Sequence, residues 1–287
     1  MTKRIPAFLI FSCAAIFFSC SSFNEFVKSN FRKPSVNFAG AKIDHLSFEK
    51  IGLLFDVKIT NPNPIGVKLT GFDFDFLLND HSFVRGDNNA GVEIPANGQH
   101  IVPVLVSMKF DEVYQAFTIL RNQDSTRYQL NAGFSFDLPI LGMQRVPISK
   151  NGSVPLIKIP KIGVESLKLN KLTLSGADLT LRIKLSNANA IAFLLNGINY
   201  RFDVNRQQWL SGSENKSQSV PAKGEAILNL PISLNFFQIG QSVSQLLQGG
   251  STVVYRLSGS VDLKSTIPLL GEVNLPFDQS GEIRIVK

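Results

Sequence analysis

Apolar and polar residues alternate in short runs along most of the chain after residue 50. A period of two is typical of β-strands that bury one face and expose the other to water. In the first clear run the apolar positions are Leu53, Phe55, Val57 and Ile59, and in the next they are Phe72, Phe74, Phe76 and Leu78. Asp73 and Asp75 lie between the latter and are predicted to face solvent, because a one-residue slip would bury them.

The same pattern occurs again 126 residues later. The apolar positions of the later runs are Leu179, Leu181, Ile183 and Leu185, followed by Ile198, Tyr200, Phe202 and Val204. Turn residues match as well, because Pro95-Ala96-Asn97-Gly98 aligns with Pro221-Ala222-Lys223-Gly224. Self-similarity at a fixed spacing indicates an internal repeat. The chain therefore consists of a first and a second repeat.

Each repeat also contains one stretch with helical spacing. In the first repeat Asp111 is predicted to be the N-cap of a helix. The residues on one face of this helix are Val113, Ala116, Phe117 and Leu120, and their counterparts are Ile239, Val243 and Leu246. About seven short strands interrupted by one helix are typical of an immunoglobulin-like or fibronectin-like sandwich. The predicted fold is mainly β, with two tandem β-sandwiches, each with one short helix.

Proline and glycine residues mark the boundary between the repeats. The run Lys150-Asn151-Gly152-Ser153, followed by Pro155 and Pro160, breaks the alternation in the way that loops do. We place the first sandwich at residues 37–155 and the second at residues 156–287. Apolar residues near the boundary predict a short joint with limited hinge motion; they are Leu156, Ile157, Ile159 and Ile162.

The N terminus has the features of an export signal. Lys3 and Arg4 precede an apolar run that ends at Ser19 and is shorter than the roughly 20 residues that span a bilayer. The following residues, Ser19-Cys20-Ser21-Ser22, resemble the lipobox of bacterial lipoproteins. This resemblance implies that residues 1–19 are a cleaved signal peptide and that Cys20 is acylated. Residues 20–36 would then form the lipid anchor and a tether.

Three alternatives stay open at the N terminus. Cys13 follows a shorter apolar run and is a second candidate for the anchor, while Phe17 stands where such boxes usually carry leucine. An ordinary signal peptidase that cleaves after Ser22 is another alternative, and an uncleaved anchor is the third. If the signal is removed at Cys20, both cysteines leave the soluble fold, which then has no disulfide.

An ordered set of landmarks follows the first clear strand. The run Asn61-Pro62-Asn63-Pro64-Ile65 is followed by an Asn79-Asp80 turn, by Gly86 and by Ile94-Pro95-Ala96-Asn97-Gly98. In this order the landmarks resemble the water stress and hypersensitive response domain of the group 2 late embryogenesis abundant proteins. The resemblance covers the chain from Ala41 to Lys287 as two tandem copies.

The second copy departs from this motif at the prolines, since it reads Asn187-Ala188-Asn189-Ala190-Ile191. Proline fixes φ and lacks an N–H, so the first copy is predicted to end its strand sharply. The second copy must instead rely on asparagine side chains that bond to local backbone. A structural role is therefore predicted for the motif residues Asn61, Pro62, Asn63, Pro64, Asn187 and Asn189.

The resemblance implies a folded, non-enzymatic protein that acts in dehydration or related stress by protecting client proteins or membranes. The family supplies no catalytic residues and no cofactor. Combined with the lipobox, it implies a lipoprotein of the bacterial cell envelope, held to the membrane by its lipid. Ser21 after the anchor cysteine favours the outer membrane, with the protein facing the periplasm.

Composition argues against several other classes of function. The 287 residues include 23 Phe but 3 His and 2 Cys, so most metal sites and nucleophilic triads lack their usual residues. The histidines His45, His81 and His100 are scattered. Asp73 and Asp75 lack a third acidic residue at ligand spacing, and Asp87-Asn88-Asn89 is predicted to be a loop tip. No metal or cofactor site is predicted.

The formal net charge of +7 does not indicate a nucleic-acid partner. Loss of Lys3 and Arg4 with the signal leaves +5, and the other basic residues are spread along alternating strands. Attraction to an anionic membrane fits better, helped by Lys28, Arg32 and Lys33 near the anchor. One alternative of a different class stays open, a periplasmic binding or assembly module for an apolar ligand or a protein partner. No oligomeric state is predicted.

Overall fold

A computed structural model of the protein describes residues 31–139, 141–239, 243, 246, 247 and 252–286. The fold is 70% strand and 7% helix, which confirms the mainly β prediction. The predicted signal peptide at residues 1–19, the anchor Cys20 and the first part of the tether lie outside the described residues. Within the described ranges, no helix is long and apolar enough to cross a membrane.

The first repeat contributes eight strands to the described part of the chain. They are β1 (Ser35–Leu46), β2 (Lys50–Thr60), β3 (Val67–Leu78), β4 (His81–Asn88), β5 (Val92–Ile94), β6 (Gln99–Lys109), β7 (Ser125–Leu138) and β8 (Gly142–Pro155). Helix α1 (Phe110–Ala116) and the 3-10 helix η1 (Thr118–Asn122) lie between β6 and β7. The sequence predicts about seven strands. The structure has eight because two separate strands, β4 and the three-residue β5, pair with the same edge of β3.

The second repeat has the same order of strands. They are β9 (Lys161–Leu172), β10 (Gly176–Ser186), β11 (Phe193–Val204), β12 (Gln207–Glu214), β13 (Gln218–Val220), β14 (Glu225–Asn235), β15 (Thr252–Ser265) and β16 (Glu272–Val286). Helix α2 (Phe236–Ile239) follows β14. The first six strands recur with unchanged lengths 126 residues after their counterparts. The internal repeat seen in the sequence is therefore a structural repeat.

The chain forms two compact units. Unit 1 comprises the described residues up to Asp44, together with Ile51–Met108 and Ser125–Pro155. Unit 2 comprises Leu156–Lys287 and two short segments of the first repeat, His45–Lys50 and Lys109–Asp124. The second of these segments carries α1 and η1. Unit 2 thus includes the helix of the first repeat as well as its own strands.

Unit 1 has two sheets with strand orders β1-β2-β6 and β4-β3-β7-β8. All neighbouring strands of the larger sheet are antiparallel. The two sheets meet through aromatic side chains. Phe55 of β2 lies 6.5 Å from Phe76 of β3 and 5.7 Å from Tyr128 of β7, measured between ring centroids. These rings, with Phe134 and Phe136, fill the core between the sheets.

Unit 2 has one continuous path of strands in the order β12-β11-β15-β16-β9-β10-β14, with β13 beside β11. The pairings are antiparallel except where the end of β16 runs parallel to β9, with Ile285 opposite Leu167. This short pairing joins the two layers that correspond to the two sheets of unit 1. Their apolar faces are buried, as shown by Leu181 and Leu230 in one layer and Phe202 and Leu257 in the other.

Equivalent tight turns fix the strand register in both repeats. Asn79 and Asp80 have φ values of 48° and 66°, and Asn205 and Arg206 have values of 47° and 68°. Two successive residues with positive φ define the hairpin turn whose twist matches that of the flanking strands. The predicted Asn79-Asp80 turn therefore joins β3 to β4, and its counterpart joins β11 to β12.

The prediction for the start of helix α1 is wrong. The N-cap is Lys109, and Asp111 lies in the first turn, where its carboxylate accepts a hydrogen bond from the backbone N of Glu112. The helix begins earlier because the backbone N of Phe110 donates to the carbonyl of Glu49 at 2.8 Å. This bond satisfies a free N–H of the helix terminus without any side-chain cap.

The predicted helical face is also interrupted. Helix α1 ends at Ala116, and Phe117 has a φ of −130° before the chain turns into η1. Val113 and Leu120 are buried, whereas Ala116 is exposed. The apolar residues that the sequence assigns to one helix therefore belong to two short helices that follow each other.

The sequence predicts that residues 150–153 form a loop, but in the structure they are part of strand β8. Gly152 stands opposite Tyr128 in the antiparallel pairing of β7 with β8. A Cβ atom at Gly152 would lie 2.6 Å from the Tyr128 ring. Glycine is present here so that the aromatic ring can cover the backbone of the neighbouring strand.

Candidate functional site

The side chain of Asn61 is buried in the loop between β2 and β3 and bonds to the protein through both of its polar atoms. Its Nδ2 donates to the carbonyl oxygens of Ile65 at 2.8 Å and Pro95 at 3.0 Å. Its Oδ1 accepts hydrogen bonds from the backbone N of Asn63 at 3.0 Å and from the Asn63 Nδ2 at 2.9 Å. Asn61 thus shapes its own loop and ties that loop to the next turn.

Asn63 holds the segment that leads into β1. Its Nδ2 donates to the carbonyl of Arg32 at 2.8 Å, and the backbone N of Arg32 donates to Asn63 Oδ1 at the same distance. The side-chain amide therefore offers one donor and one acceptor to a single residue, as a neighbouring strand does. The next-but-one residue, Pro34, is buried. The chain is held in place from Arg32 onward.

The turn at residues 95–98 closes over this loop. The backbone N of Asn97 donates to the carbonyl of Asn63 at 2.8 Å, and the backbone N of Asn61 donates to the carbonyl of Gly98 at 2.9 Å. Asn97 has a φ of 53°, a left-handed conformation that asparagine tolerates better than most residues. Both asparagines of the motif are therefore linked to the turn through their main chains.

The second repeat builds the same arrangement without the prolines. The Nδ2 of Asn187 donates to the carbonyls of Ile191 at 2.7 Å and Pro221 at 2.9 Å. Its Oδ1 accepts from the backbone N of Asn189 at 2.9 Å. Asn189 in turn exchanges two bonds of 2.7 Å with the backbone of Lys158. The four asparagines, and not the prolines, therefore define the loop.

The chemistry of this site is internal to the protein. Asn61, Asn63, Asn187 and Asn189 are 0%, 1%, 3% and 1% exposed. Among the described residues, no buried side-chain nitrogen or oxygen lacks a hydrogen-bond partner. An amide whose donors and acceptors are all used cannot bind a ligand without giving up bonds to the fold. We call this arrangement the asparagine clamp; it joins the leading segment, the loop and the turn of each repeat.

The two acidic residues singled out on β3 pair with arginines on the surface of unit 1. Asp73 accepts two bonds from Arg145, Nε to Oδ1 at 3.0 Å and Nη2 to Oδ2 at 2.6 Å. The bond to Asp73 raises the pKa of the Arg145 guanidinium. Asp75 accepts from the Ser82 hydroxyl at 2.6 Å and lies 3.5 Å from Arg85 Nε. These contacts are surface ion pairs.

The histidines and the second acidic cluster lie in ordinary surface positions. His45, His81 and His100 are on three different strands, β1, β4 and β6. The Asp87-Asn88-Asn89 cluster is at the exposed end of β4, where Asn88 Oδ1 accepts from the backbone N of Ala90 at 2.8 Å. Within the described ranges, no three His, Cys, Asp or Glu side chains form a group that could hold a metal ion.

An ionic cluster in unit 2 joins residues that are distant in sequence. The carboxylate of Asp124 accepts bonds from the Nζ of Lys223 and, at 3.1 Å, from the Nζ of Lys158. The hydrogen bond from Lys223, with further help from Lys158, lowers the pKa of Asp124. Lys223 also donates to the carbonyl of Ala188 at 2.8 Å. The cluster thus ties the segment Lys109–Asp124 to the asparagine clamp of the second repeat.

Tyr114 of helix α1 supports the same region of unit 2. Its hydroxyl donates to the carbonyl of Ile157 at 3.1 Å. Burial, and secondarily the charge of Asp124, raises the pKa of Tyr114 to about 12. Asp124 does not stand out in the sequence, because it is 34 residues from Lys158 and 99 residues from Lys223. Tyr114 does not stand out either, because it is 43 residues from Ile157.

An open groove of about 540 Å³ lies beside β3 and β5 on the described surface of unit 1. Its lining mixes glycine and proline with Lys68, Glu93 and Asp137. A ligand pocket is usually enclosed and mostly apolar. The groove has charges of both signs and is open to solvent, so it does not match the apolar ligand site that was one alternative from the sequence.

Comparison with known proteins identifies the same family in both repeats. The model of the family described as late embryogenesis abundant protein matches residues 56–152 and 182–281. A relative, the late embryogenesis abundant protein Lea14-A of Gossypium hirsutum, is 20% identical over 128 residues. This match covers 45% of the present chain and 85% of the relative.

Two solved structures align with part of the chain. The solution structure of a late embryogenesis abundant protein aligns with a TM-score of 0.37 and 16% identity, over 55% of this chain and 96% of its own. The solution structure of an Arabidopsis thaliana protein aligns with a TM-score of 0.35 and 17% identity, over 45% and 88%. The family assignment rests on the match of the family model to both repeats. Because that match spans more than half of the chain, the protein belongs to the late embryogenesis abundant protein family, with one copy of the domain in each repeat.

Proposed function

We propose that the protein is a non-enzymatic lipoprotein of the bacterial cell envelope that protects proteins or membranes during water loss. The observation that carries the proposal is the match of both repeats to a family related to water stress. Protection of this kind needs a stable, hydrated surface and no reacting group. The outer membrane, with the protein facing the periplasm, is the proposed location.

The surface of the sandwiches supports this proposal. Exposed strand faces carry ion pairs, such as Asp73 with Arg145 in unit 1 and Asp278 with Arg256 in unit 2. Charged groups of both signs keep a protein hydrated and dispersed. The asparagine clamps turn the polar groups of the loops inward, which leaves the loop ends stable without a bound ligand.

The position of the first clamp also bears on anchoring. If Cys20 carries the lipid, the chain from Cys20 to Arg32 spans roughly 40 Å at most when fully extended. Arg32 is fixed to unit 1 by Asn63. Unit 1 would then stay close to the bilayer, and the basic residues Lys28, Arg32 and Lys33 would lie near anionic headgroups.

A drying experiment tests protection. The full chain, in the processed form that cells produce, is dried beside a labile enzyme and beside lipid vesicles. Recovered enzyme activity and retained vesicle contents are compared with those obtained with an equal mass of an unrelated folded β-sandwich. We expect clearly higher recovery in at least one assay. Recovery equal to the control in both would refute the protective function.

Metabolic labelling with a fatty acid tests the anchor separately. Cys20→Ala should abolish incorporation of the label and raise the apparent mass, because the signal is no longer processed and stays on the chain. Cys13→Ala is the matched control and should change neither property. If Cys13→Ala abolishes the labelling and Cys20→Ala does not, the anchor is at Cys13 and the proposed site is wrong.

The assembly module is a second candidate because one structural observation favours it. Leu174, in the turn between β9 and β10, is fully exposed at 102% of its reference area. Phe237 is 80% exposed and follows Phe236, whose backbone N donates to the carbonyl of Ser175 in the same turn. An exposed apolar patch is often part of a contact surface. An assembly role is compatible with protection.

A further inference from the structure

A short parallel pairing joins the two layers of unit 2 at the end of β16. Ile285 stands opposite Leu167 of β9, and Val286 stands opposite Lys168. Ile285 and Leu167 are both buried, so the pairing covers aliphatic side chains where the edges of the two layers meet. We call the place where the first strand of a repeat lies beside its last strand the seam of that repeat.

The seam of unit 1 has no such pairing, since the described strands β1 and β8 belong to two separate sheets. Strand β8 ends at Pro155, opposite the first residue of β7. In unit 2, Arg284 takes the same position opposite the first residue of β15, and Ile285 follows it. Leu156 is therefore the counterpart of Ile285. However, Leu156 belongs to unit 2, where its backbone N donates to the carbonyl of Asp124 at 2.8 Å.

The first strand of unit 1 is exposed at the positions where β9 is covered. Ala41 precedes Leu167 by 126 residues and is exposed, whereas Leu167 is buried. Ile43 is half-buried, whereas its counterpart Leu169 is buried. Among the described strands, β1 ends its sheet and has a neighbour on one side. A free edge of this kind can pair with one more strand.

An open slit of about 90 Å³ lies at this seam and reaches the core of unit 1. A cavity that takes benzene measures about 150 Å³, so the slit has room for one aliphatic side chain and is too small for a free apolar ligand. Ile285 provides such a side chain at the seam of unit 2. The lining of the slit is mainly apolar and includes Ala41, Ile43, Leu53, Phe55 and Tyr128.

Three other edge strands contain a proline. Pro103 lies within β6, Pro147 within β8 and Pro231 within β14, and each of these strands ends its sheet. Proline lacks a backbone N–H, so a strand that contains it is a poor partner for a further strand. Strand β1 contains no proline. The edge of β1 can therefore pair, whereas these three edges of a second copy of the chain offer it no good partner.

The seam of unit 1 requires a partner with a free extended backbone and an aliphatic side chain. A folded protein seldom offers both, because roughly 90% or more of its buried backbone groups are already paired. An unfolded chain exposes its backbone and its aliphatic side chains together. Strand addition also accepts many sequences, because main-chain hydrogen bonds provide the affinity. A lipid acyl chain fits less well, because it leaves the backbone groups of β1 without partners.

We propose that the seam of unit 1 binds extended segments of unfolded client proteins by strand addition to β1, with one aliphatic side chain of the client in the slit. The client segment takes the position that Ile285 and Val286 have beside β9 in unit 2. The choice of partner rests on the proposed protective function. A segment held in this way cannot pair with other unfolded chains, which is how strands aggregate.

Photo-cross-linking at two matched positions of the full chain tests the binding surface. Lys42 of β1 and Lys168 of β9 are equivalent exposed residues, but β16 already lies beside Lys168. A photoreactive phenylalanine analogue replaces one or the other, and the probe is reduced, carboxymethylated α-lactalbumin, which stays unfolded. We expect position 42 to cross-link to this probe, and position 168 to do so at least about tenfold less, the ratio that 1.4 kcal/mol of binding free energy gives.

The controls of this experiment include the other occupants of the seam. Native α-lactalbumin should not cross-link to position 42, because its backbone is already paired. Equal cross-linking to the unfolded probe at positions 42 and 168 would overturn the proposal. So would products in which position 42 is joined only to another copy of this chain or to lipid from added vesicles.

A charge at the mouth of the slit provides a second test. Ala41 is exposed, so Ala41→Asp should keep the thermal unfolding of the wild type. Binding of the labelled unfolded probe, measured by fluorescence anisotropy, should weaken at least about tenfold, because an aliphatic side chain would bury the new carboxylate. Met143→Asp makes the same change of charge at an exposed position of β8 and should leave binding unchanged. Binding to Ala41→Asp as tight as to the wild type contradicts the proposal.

The drying experiment separates this proposal from the protective function. If the wild type protects the dried enzyme and Ala41→Asp protects it equally well, the protective function stands and the seam is not its binding surface. If position 42 cross-links to the unfolded probe but the wild type gives no protection, the seam binds unfolded chains and the protective function is wrong.

Discussion

Asn63 and the backbone of Arg32 exchange two hydrogen bonds of 2.8 Å, so a side-chain amide takes the place of a strand partner. The same exchange, at 2.7 Å, links Asn189 to Lys158 in the second repeat. Each pair fixes the backbone just before the first strand of its repeat. The two asparagines of each motif therefore act together. Asn61 orients the side-chain amide of Asn63, and Asn187 orients that of Asn189, and the oriented amide holds the leading segment.

Removal of the orienting asparagine should destabilise its repeat. Asn61→Ala leaves the part-buried carbonyls of Ile65 and Pro95 without this donor and the buried backbone N–H of Asn63 without its acceptor. We therefore expect the free energy of unfolding to fall on the order of 3 kcal/mol. Asn187→Ala should have a similar effect. Urea denaturation followed by circular dichroism measures both. Asn229→Ala, at an exposed position of β14, is the control. A loss at Asn61 no larger than that of the control would show that the clamp is not stabilising.

Proline in the second loop should stabilise the protein. The first loop carries Pro62 and Pro64 where the second carries Ala188 and Ala190, and both loops make the same asparagine bonds. Ala188→Pro should therefore fit the folded loop and raise the free energy of unfolding by about 0.5 to 1 kcal/mol, because it restricts the unfolded chain. Pro62→Ala should lower it by a similar amount. If Ala188→Pro destabilises the protein, the two loops are not equivalent.

The ion pairs of Asp124 predict an acid-dependent part of the stability. Because Lys223 and Lys158 lower its pKa below the ordinary value of 3.8, Asp124 stabilises the fold above that value. This contribution is lost as the pH falls through the lower pKa of the folded protein. Asp124→Asn should cost less than about 1 kcal/mol at pH 7, as is usual for exposed pairs. The difference from the wild type should vanish in strong acid, and a difference that persists there contradicts the assignment.

Tyr114 predicts the opposite behaviour at alkaline pH. Its pKa of about 12 lies above the ordinary value of 10.0, so the folded protein favours the neutral phenol. The corresponding stabilisation is complete below pH 10 and is lost as the pH rises through 12. In a spectrophotometric titration, Tyr114→Phe should remove a late step near pH 12. Removal of a step near pH 10 instead would show that the phenol is not buried in solution.

The strands and the repeat were predictable because their signals are local. Alternation at Leu53, Phe55 and Val57 reports one buried face, and a copy of it 126 residues later reports a second sandwich. The Asn-X-Asn spacing was visible too, and local backbone bonding by its side chains could be expected. The partners of Asn63 and Asn189 could not be predicted. Arg32 and Lys158 bond to them through their backbones, and any residue type can make such a bond.

Contacts between segments that are distant in sequence could not be predicted from the apolar pattern either. The start of helix α1 is set by a bond from Phe110 to Glu49 and not by Asp111, which local rules favoured. Phe48 and Leu174 look alike in the sequence, since both are apolar residues in a turn. Only the fold shows that the ring of Phe48 packs against the ring of Phe193 and that Leu174 is exposed to solvent.

Hydrogen exchange at the backbone N–H groups of Arg32 and Lys158 tests the asparagine clamp most directly. Mass spectrometry with site-resolved fragmentation should find both amides protected in the wild type. Asn63→Ala should speed the exchange of Arg32 at least about tenfold, the effect of losing one hydrogen bond, and leave Lys158 protected. Asn189→Ala should do the reverse. Free exchange of Arg32 in the wild type, or exchange unaffected by Asn63→Ala, would contradict the account.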